Sequence, residues 1–330
     1  MKSLLLLFIV FYPLKGSASD QNKDRLIRLY YNVTIRTDTL NKQSQIYVPL
    51  TTSNQNQDIL ERKISSPIPG SVSKDQTYGN EFWYAAIPLN RDNDKGELQI
   101  TIEYLVKRRK QIAGSDTITT KIDAQQLPSN PQYLSANQRV PISGKFINDI
   151  LAVLSKTDGS KLGMAKVIYD FVIDNMEYKK VGTGWGQGDT EWAYSKKYGN
   201  CTDFHALFIS LARSQGITAR FKMGLPIPEN NKEGIISGYH CWVEFYLPKI
   251  GWVPIDASEA KKSLDKREFY FGQLPADRIL FSIGRDIVLN SQQKSGSLNY
   301  FIFPFMEADG KRINDSIKTK FIYRELKAKI

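Results

Sequence analysis

The sequence predicts an α+β fold with an all-β first part. Three observations carry that expectation. Residues 25–110 alternate apolar and polar side chains with a period of two. Apolar stripes at helical spacing begin at Phe146. From residue 217 onward the pattern is strand-like again, which fits helices followed by an antiparallel sheet.

The chain opens MKSLLLLFIVFYPLKGSASD: one lysine, an apolar run from Leu4 to Leu14, then the small residues Gly16 to Ser19. That is the layout of a signal peptide over residues 1–19, and the run is shorter than the roughly 20 residues that span a bilayer. The protein is therefore expected to be exported, periplasmic or secreted. Residues 22–112 read as a β-sandwich-like domain. In RLIRLYYNVTIR, Ile27, Leu29, Tyr31, Val33 and Ile35 share one face, and in ELQITIEYLVKRR so do Leu98, Ile100, Ile102, Tyr104 and Val106. Residues 113–144 have little periodicity and read as a linker.

Residues 145–330 read as the second domain. Phe146, Ile147, Ile150, Leu151 and Leu154 form one helical stripe, and Leu162, Ala165, Ile168, Phe171 and Val172 another. The loop Val181-Gly-Thr-Gly-Trp-Gly-Gln-Gly188 resembles a dinucleotide fingerprint only superficially. It follows a helix instead of a strand, and no helix is expected directly after it. A helix then runs from Cys201 to about Gln215, with Asn200 as N-cap, Asp203 at the third helical position and Gly216 just past the end. Strands follow at Thr218–Met223, Tyr239–Leu247, Trp252–Asp256, Ile279–Leu289, Leu298–Met306 and Ile317–Leu326.

The 330 residues suffice for two domains, each with its own core, and 41% hydrophobic content excludes a disordered chain. The net charge of +11 is scattered, with one cluster at Lys107-Arg-Arg-Lys110 and no basic-aromatic motif, so nucleic acid is not an expected partner. Weak contact with anionic cell-surface polymers or lipids fits that charge. No metal or cofactor is expected: a Cys201/His205 pair lacks further soft ligands, and Asp92-Asn-Asp94 reads as a turn. The oligomeric state has no signature in the sequence.

Only two cysteines and two histidines are present. Cys201 opens a helix, where free backbone N–H groups and the helix dipole stabilise a thiolate and can hold an oxyanion. His240 lies on one strand and Asp256 on the next. If the hairpin between them closes with an odd-numbered loop, the two share a face as adjacent or diagonal neighbours, and the carboxylate can orient the imidazole. His205 follows Cys201 by one helical turn, but no carboxylate is evidently placed to orient it, so it reads as a packed or hydrogen-bonded histidine. Cys241 adjoins His240 on a strand, so the two are expected to point to opposite faces. A Cys201–Cys241 disulfide and a Cys201–His240 pair therefore compete as readings. Trp242 and Glu244 share the face of His240 and are expected to support it.

The stretches GNCTDFHALFISLARSQGITARFKMG and GYHCWVEFYLPKIGWVPIDASEA resemble the transglutaminase-like superfamily, and in particular its bacterial exported members. The resemblance is strong over roughly residues 160–260. It implies a papain-like fold and a Cys–His–Asp triad filled by Cys201, His240 and Asp256. It also implies an upstream tryptophan that helps hold the oxyanion, for which Trp185 is preferred over Trp192. The expected activity is cysteine-dependent acyl transfer on amide or peptide bonds of a protein, peptide or cell-wall peptide. Hydrolysis is put ahead of protein crosslinking, with a non-catalytic binding module on the same fold as the reading from another class.

Overall fold

The computed structural model describes residues 24–40, 44–87, 96–114, 131–154, 157–248 and 250–327. The expected signal peptide, Asp92-Asn-Asp94 and half of the expected linker lie outside them. The fold is α+β, as the sequence patterns require. In chain order it contains β1 (Arg25–Arg36), β2 (Gln45–Pro49), β3 (Gln57–Ser65), β4 (Ser71–Lys74), β5 (Glu81–Ala86) and β6 (Glu97–Arg108). The helices α1 (Lys145–Val153), α2 (Lys161–Asn175), α3 (Thr190–Lys196) and α4 (Cys201–Ser214) follow. Then come β7 (Ala219–Pro226), β8 (Glu233–Ile236), β9 (His240–Leu247), β10 (Gly251–Ile255), α5 (Ala257–Lys262), β11 (Arg278–Ile283), β12 (Phe305–Ala308) and β13 (Ile317–Leu326).

Three antiparallel sheets organise these strands. The first has the order β8-β13-β1-β6-β3, the second runs from residues 311–312 through β12-β2-β5-β4, and the third is β10-β9-β7-β11. The period-two faces of β1 and β6 are buried as expected: Ile27, Leu29, Tyr31, Val33 and Ile35 on one strand, and Leu98, Ile100, Ile102, Tyr104 and Val106 on the other.

The sheets correct the sequence reading in two ways. The strands after residue 305 were expected with the helical half, yet β12 pairs with β2 and β13 with β1 along Ile35↔Ile317 to Leu26↔Leu326. Separate cores were also expected, yet the buried side chains of β1, β6, α2, α4 and β9 form one continuous cluster. The reason is that β1 has two edges. β6 covers one and β13 the other, which would otherwise expose a row of unpaired backbone groups.

The third sheet solves its edge problem differently. β11 has β7 on one side only. On the other side, side-chain amides from the first half take the place of a strand. Leu280 N–H donates to Gln57 Oε1 (2.9 Å), and Gln57 Nε2 donates to Leu280 O (3.1 Å). Three residues on, Ile283 N–H donates to Asn80 Oδ1 (2.7 Å), and Asn80 Nδ2 donates to Ile283 O (2.8 Å). An amide carries one acceptor and a donor side by side, the same pair that a neighbouring backbone would supply.

Two helices were not legible. α3 starts at Thr190, directly after the glycine-rich loop where none was expected; Asp189 caps it by accepting from Trp192 N–H (3.0 Å). α5 starts directly after Asp256, whose carboxylate caps it. Residues 298–304, expected as strand, carry only one isolated bridge, Ile287↔Leu298.

Candidate active site

α4 is buried at every residue from Cys201 to Arg213, and its first turn is fixed by a capping box. Asn200 Oδ1 accepts from Thr202 N–H (2.8 Å), while Asp203 Oδ2 accepts from Asn200 N–H (2.9 Å). Asp203 does more than cap. It also accepts from Gly186 N–H (2.7 Å) and Gly188 N–H (2.9 Å), so it straps the glycine-rich loop to the start of the helix. Arg285 closes the strap by donating to Gln187 O (2.8 Å) and Gly188 O (2.9 Å). At Gly188, φ is +56° and a Cβ would lie 2.4 Å from that guanidinium. The glycines of this loop therefore serve close backbone packing against the helix start.

The β9–β10 hairpin pairs Leu247↔Gly251 and Val243↔Ile255, which leaves a three-residue loop and makes His240 and Asp256 diagonal neighbours. His240 Nε2 lies 2.6 Å from Asp256 Oδ2. Asp256 is wholly buried and saturated with donors. Oδ1 accepts from Ser258 Oγ (2.9 Å) and Glu259 N–H (2.9 Å), and Oδ2 also accepts from Arg278 Nη1 (2.8 Å). With Nε2 committed to the carboxylate, Nδ1 is the imidazole nitrogen that remains for Cys201, whose thiol His240 lowers.

The charges on these groups follow from that arrangement. Burial alone would push the Cys201 thiol up. Hydrogen bonds with Cys241 and His240 and the charge of His240 outweigh it and hold the thiol well below its ordinary value. Burial would likewise lower His240, but the charge and hydrogen bond of Asp256, with the bond to Cys201, push it up to about 10. Burial would raise Asp256, yet His240, His205 and Arg278 hold it well below the carboxylate range. A thiolate–imidazolium pair beside an ionised carboxylate is the resting state these shifts describe.

Two expectations about the neighbours need correction. His205 does have a carboxylate nearby: its Nε2 lies 3.5 Å from Asp256 Oδ1 without a hydrogen bond to it, and its Nδ1 lies 3.5 Å from Cys241 Sγ. A helix turn from α4 packs onto the end of β10, a proximity that no local spacing encodes. A Cys201–Cys241 disulfide competed as a reading with a Cys201–His240 pair; both cysteines are free thiols, so the disulfide reading falls.

Among the remaining candidates, Asn200 caps as expected and also donates from Nδ2 to Tyr239 Oη (3.0 Å). Trp242 is buried, with its ring 6.3 Å from the His240 ring and 24° from parallel to it. Trp185 spends its indole N–H within its own loop, on Gly182 O (3.2 Å), which removes the donor that an oxyanion role would need. Trp192 packs beneath Gly184 and edge-on to Tyr198. Glu244, expected as a supporting residue, is fully buried and bonded to Arg220, Lys222 and Gln111, with no bond to His240. The sequence reading missed Arg278, Arg285 and Tyr239; a charged residue in a strongly apolar strand, as in Asp277-Arg-Ile-Leu-Phe281, was the available signal for the first.

Cys201 is 2% exposed and His240 6%, so the pair lies just beneath the surface. Tyr239 and Tyr300, with ring centroids 5.6 Å apart, stand beside the capped helix end. Next to them opens a cavity of about 270 Å³, lined among others by Gln187, Asn299, Tyr300, Phe303 and Arg312. No group of three or more metal-ligating side chains occurs among the described residues.

Residues 149–257 match the sequence model of the transglutaminase-like superfamily. An uncharacterized protein of Haemophilus influenzae is 25% identical over 323 residues, covering 87% of each chain. The Bacillus subtilis protein YebA is 33% identical over 78 residues, which are 21% of this chain and 11% of that one. A solved structure named as a candidate cysteine protease, from Cytophaga hutchinsonii, superposes with a TM-score of 0.58 at 14% identity and covers 93% of both chains, a likeness of fold. Residues 149–257 are thus similar to the transglutaminase-like superfamily, and the chain shares its papain-like α+β fold.

Proposed function

We propose that the protein is an exported cysteine acyl-transfer enzyme that hydrolyses amide or peptide bonds. One observation carries the reading: His240 Nε2 lies 2.6 Å from the buried Asp256 Oδ2, and the same imidazole is near enough to Cys201, at a helix N-terminus, to pull its thiol down. The Cys201 thiolate attacks the carbonyl carbon and displaces its π electrons onto oxygen. The Cys201 backbone N–H, at the open end of α4, is the donor placed for that oxyanion. The tetrahedral species collapses as His240 Nδ1–H gives its proton to the departing amine, leaving a thioester on Cys201. Neutral His240 then takes a proton from water, which attacks the thioester and restores the thiolate–imidazolium pair. An amine in place of water would give crosslinking by the same route. Export is supported by the N-terminal sequence, and among the described residues no helix is long and apolar enough to cross a membrane. A protein, peptide or cell-wall peptide is the substrate class.

Two measurements test the reading. Iodoacetamide should label Cys201 at neutral pH faster than a free thiol by roughly tenfold or more, because the thiolate is already present. A peptide amide library, incubated with and without a primary amine, should yield free acids. Transamidated products in the presence of the amine would move the assignment to crosslinking, and an unreactive Cys201 would leave a binding module.

A further inference from the structure

We propose that Arg278 is a positioning residue for this site: by sharing Asp256 Oδ2 with His240 Nε2, it limits how tightly the carboxylate holds the imidazolium, so that His240 can release its proton to the leaving group. The inference rests on the acyl-transfer reading and adds a residue that neither the triad pattern nor the family match assigns.

The geometry is specific. Arg278 Nη1 lies 2.8 Å and His240 Nε2 lies 2.6 Å from the same oxygen. The other oxygen is occupied by Ser258 and Glu259, so the carboxylate cannot turn to give each cation an oxygen of its own. Arg278 is itself held: 1% exposed, with Nε on Asp277 Oδ1 (3.0 Å) and its guanidinium carbon 5.2 Å from the centre of the Trp242 ring that flanks His240. A fixed positive charge there disfavours a second one on His240. The other titratable groups facing the pair are Cys201 and His205 on α4, Cys241 on β9, Glu259 on α5 (3.9 Å from His240 Nδ1), and Tyr169, Tyr178, Tyr270 and Asp277. None of these is a cation bonded to Oδ2. A general acid that holds its proton too well donates slowly, so relief of that hold is catalytically useful.

The test compares Arg278→Met and Arg278→Lys with the full chain. With only His205 and His240 present, the imidazole carbon-bound protons give two histidine signals to follow by NMR against pH. Arg278→Met should move the His240 midpoint upward by about one pH unit or more, and Arg278→Lys should move it less. Two substrates separate positioning from mere support. A p-nitrophenyl ester, whose leaving group departs without a proton, should acylate Cys201 within about twofold of the native rate, whereas a peptide p-nitroanilide, whose amine needs one, should slow roughly tenfold in kcat with KM kept. Ester and anilide rates that fall together, or a His240 midpoint that stays put in Arg278→Met, would overturn the proposal. Should Arg278→Met not fold, Arg278→Gln decides by the same ester-to-anilide ratio and midpoint: a raised midpoint with a loss confined to the anilide supports the proposal, and both unmoved per folded molecule overturn it. Failure of the underlying reading would look different, as native Cys201 that neither alkylates nor acylates at neutral pH.

Discussion

Asp256 stands between two thiol–imidazole pairs built from the same residue types. Cys201 and His240 meet its Oδ2 side, while Cys241 and His205 meet its Oδ1 side. Their thiols are driven in opposite directions. Cys201 is held well below its ordinary value, whereas burial first, and then the neighbouring Cys201, pushes Cys241 well above it. The first thiol stands at the open end of a helix with a short carboxylate–imidazole bond behind it. The second lies inside a sheet, and its imidazole is 0% exposed. The contrast teaches that a Cys, a His and an Asp in one neighbourhood do not suffice to fix a thiol's state; a helix end separates the lowered thiol from the raised one.

The comparison can be broken most directly at the thiols. Cys201→Ala should abolish alkylation at neutral pH altogether, while Cys241→Ala should keep it within about tenfold, read as labelled protein by mass spectrometry. At the imidazoles, His240→Ala should slow alkylation at pH 7 roughly thirtyfold, as the thiol returns toward about 8.5, and His205→Ala only a few-fold. The reverse ranking would exchange the roles of the two pairs. The pH dependence sharpens the same contrast. His240 is lifted to about 10, so amide turnover that needs its proton should persist below that value and fall about tenfold per pH unit above it, while thiolate alkylation continues. The sign for stability is the same: a folded-state value raised above about 6.5 gives stability present below the unfolded value and lost as pH rises through the folded one. Farther from the site, Gln57→Ala should unpair one residue of β11 and cost about 1–3 kcal/mol in chemical denaturation.

The neighbourhood of Cys201, His240 and Asp256 was legible because each sits on a local signal. Asn200 and Asp203 mark a helix start around Cys201, and the three-residue loop between Leu247 and Gly251 sets the phase that puts His240 and Asp256 on one face. What escaped depended on contacts across long separations. His205 meets Asp256 only because α4 packs on the end of β10, and Arg278 meets it only because β11 lies two strands from β9. The pairing of β13 with β1 joins opposite ends of the chain, and no spacing rule reaches that far. Trp185 failed for a local reason: a glycine-rich loop offers its own carbonyls, and Gly182 takes the indole proton.

The amides of Gln57 and Asn80 bear on inheritance. Two halves joined by backbone pairing alone can be exchanged among proteins, since any strand offers the same groups. Here the junction at β11 is written in two side chains at particular positions. A transglutaminase-like core moved onto a foreign first half would bring an open strand edge with it, and the nearest β-rich neighbour to close over that edge would be another copy of itself. The two halves are therefore expected to have been passed on together.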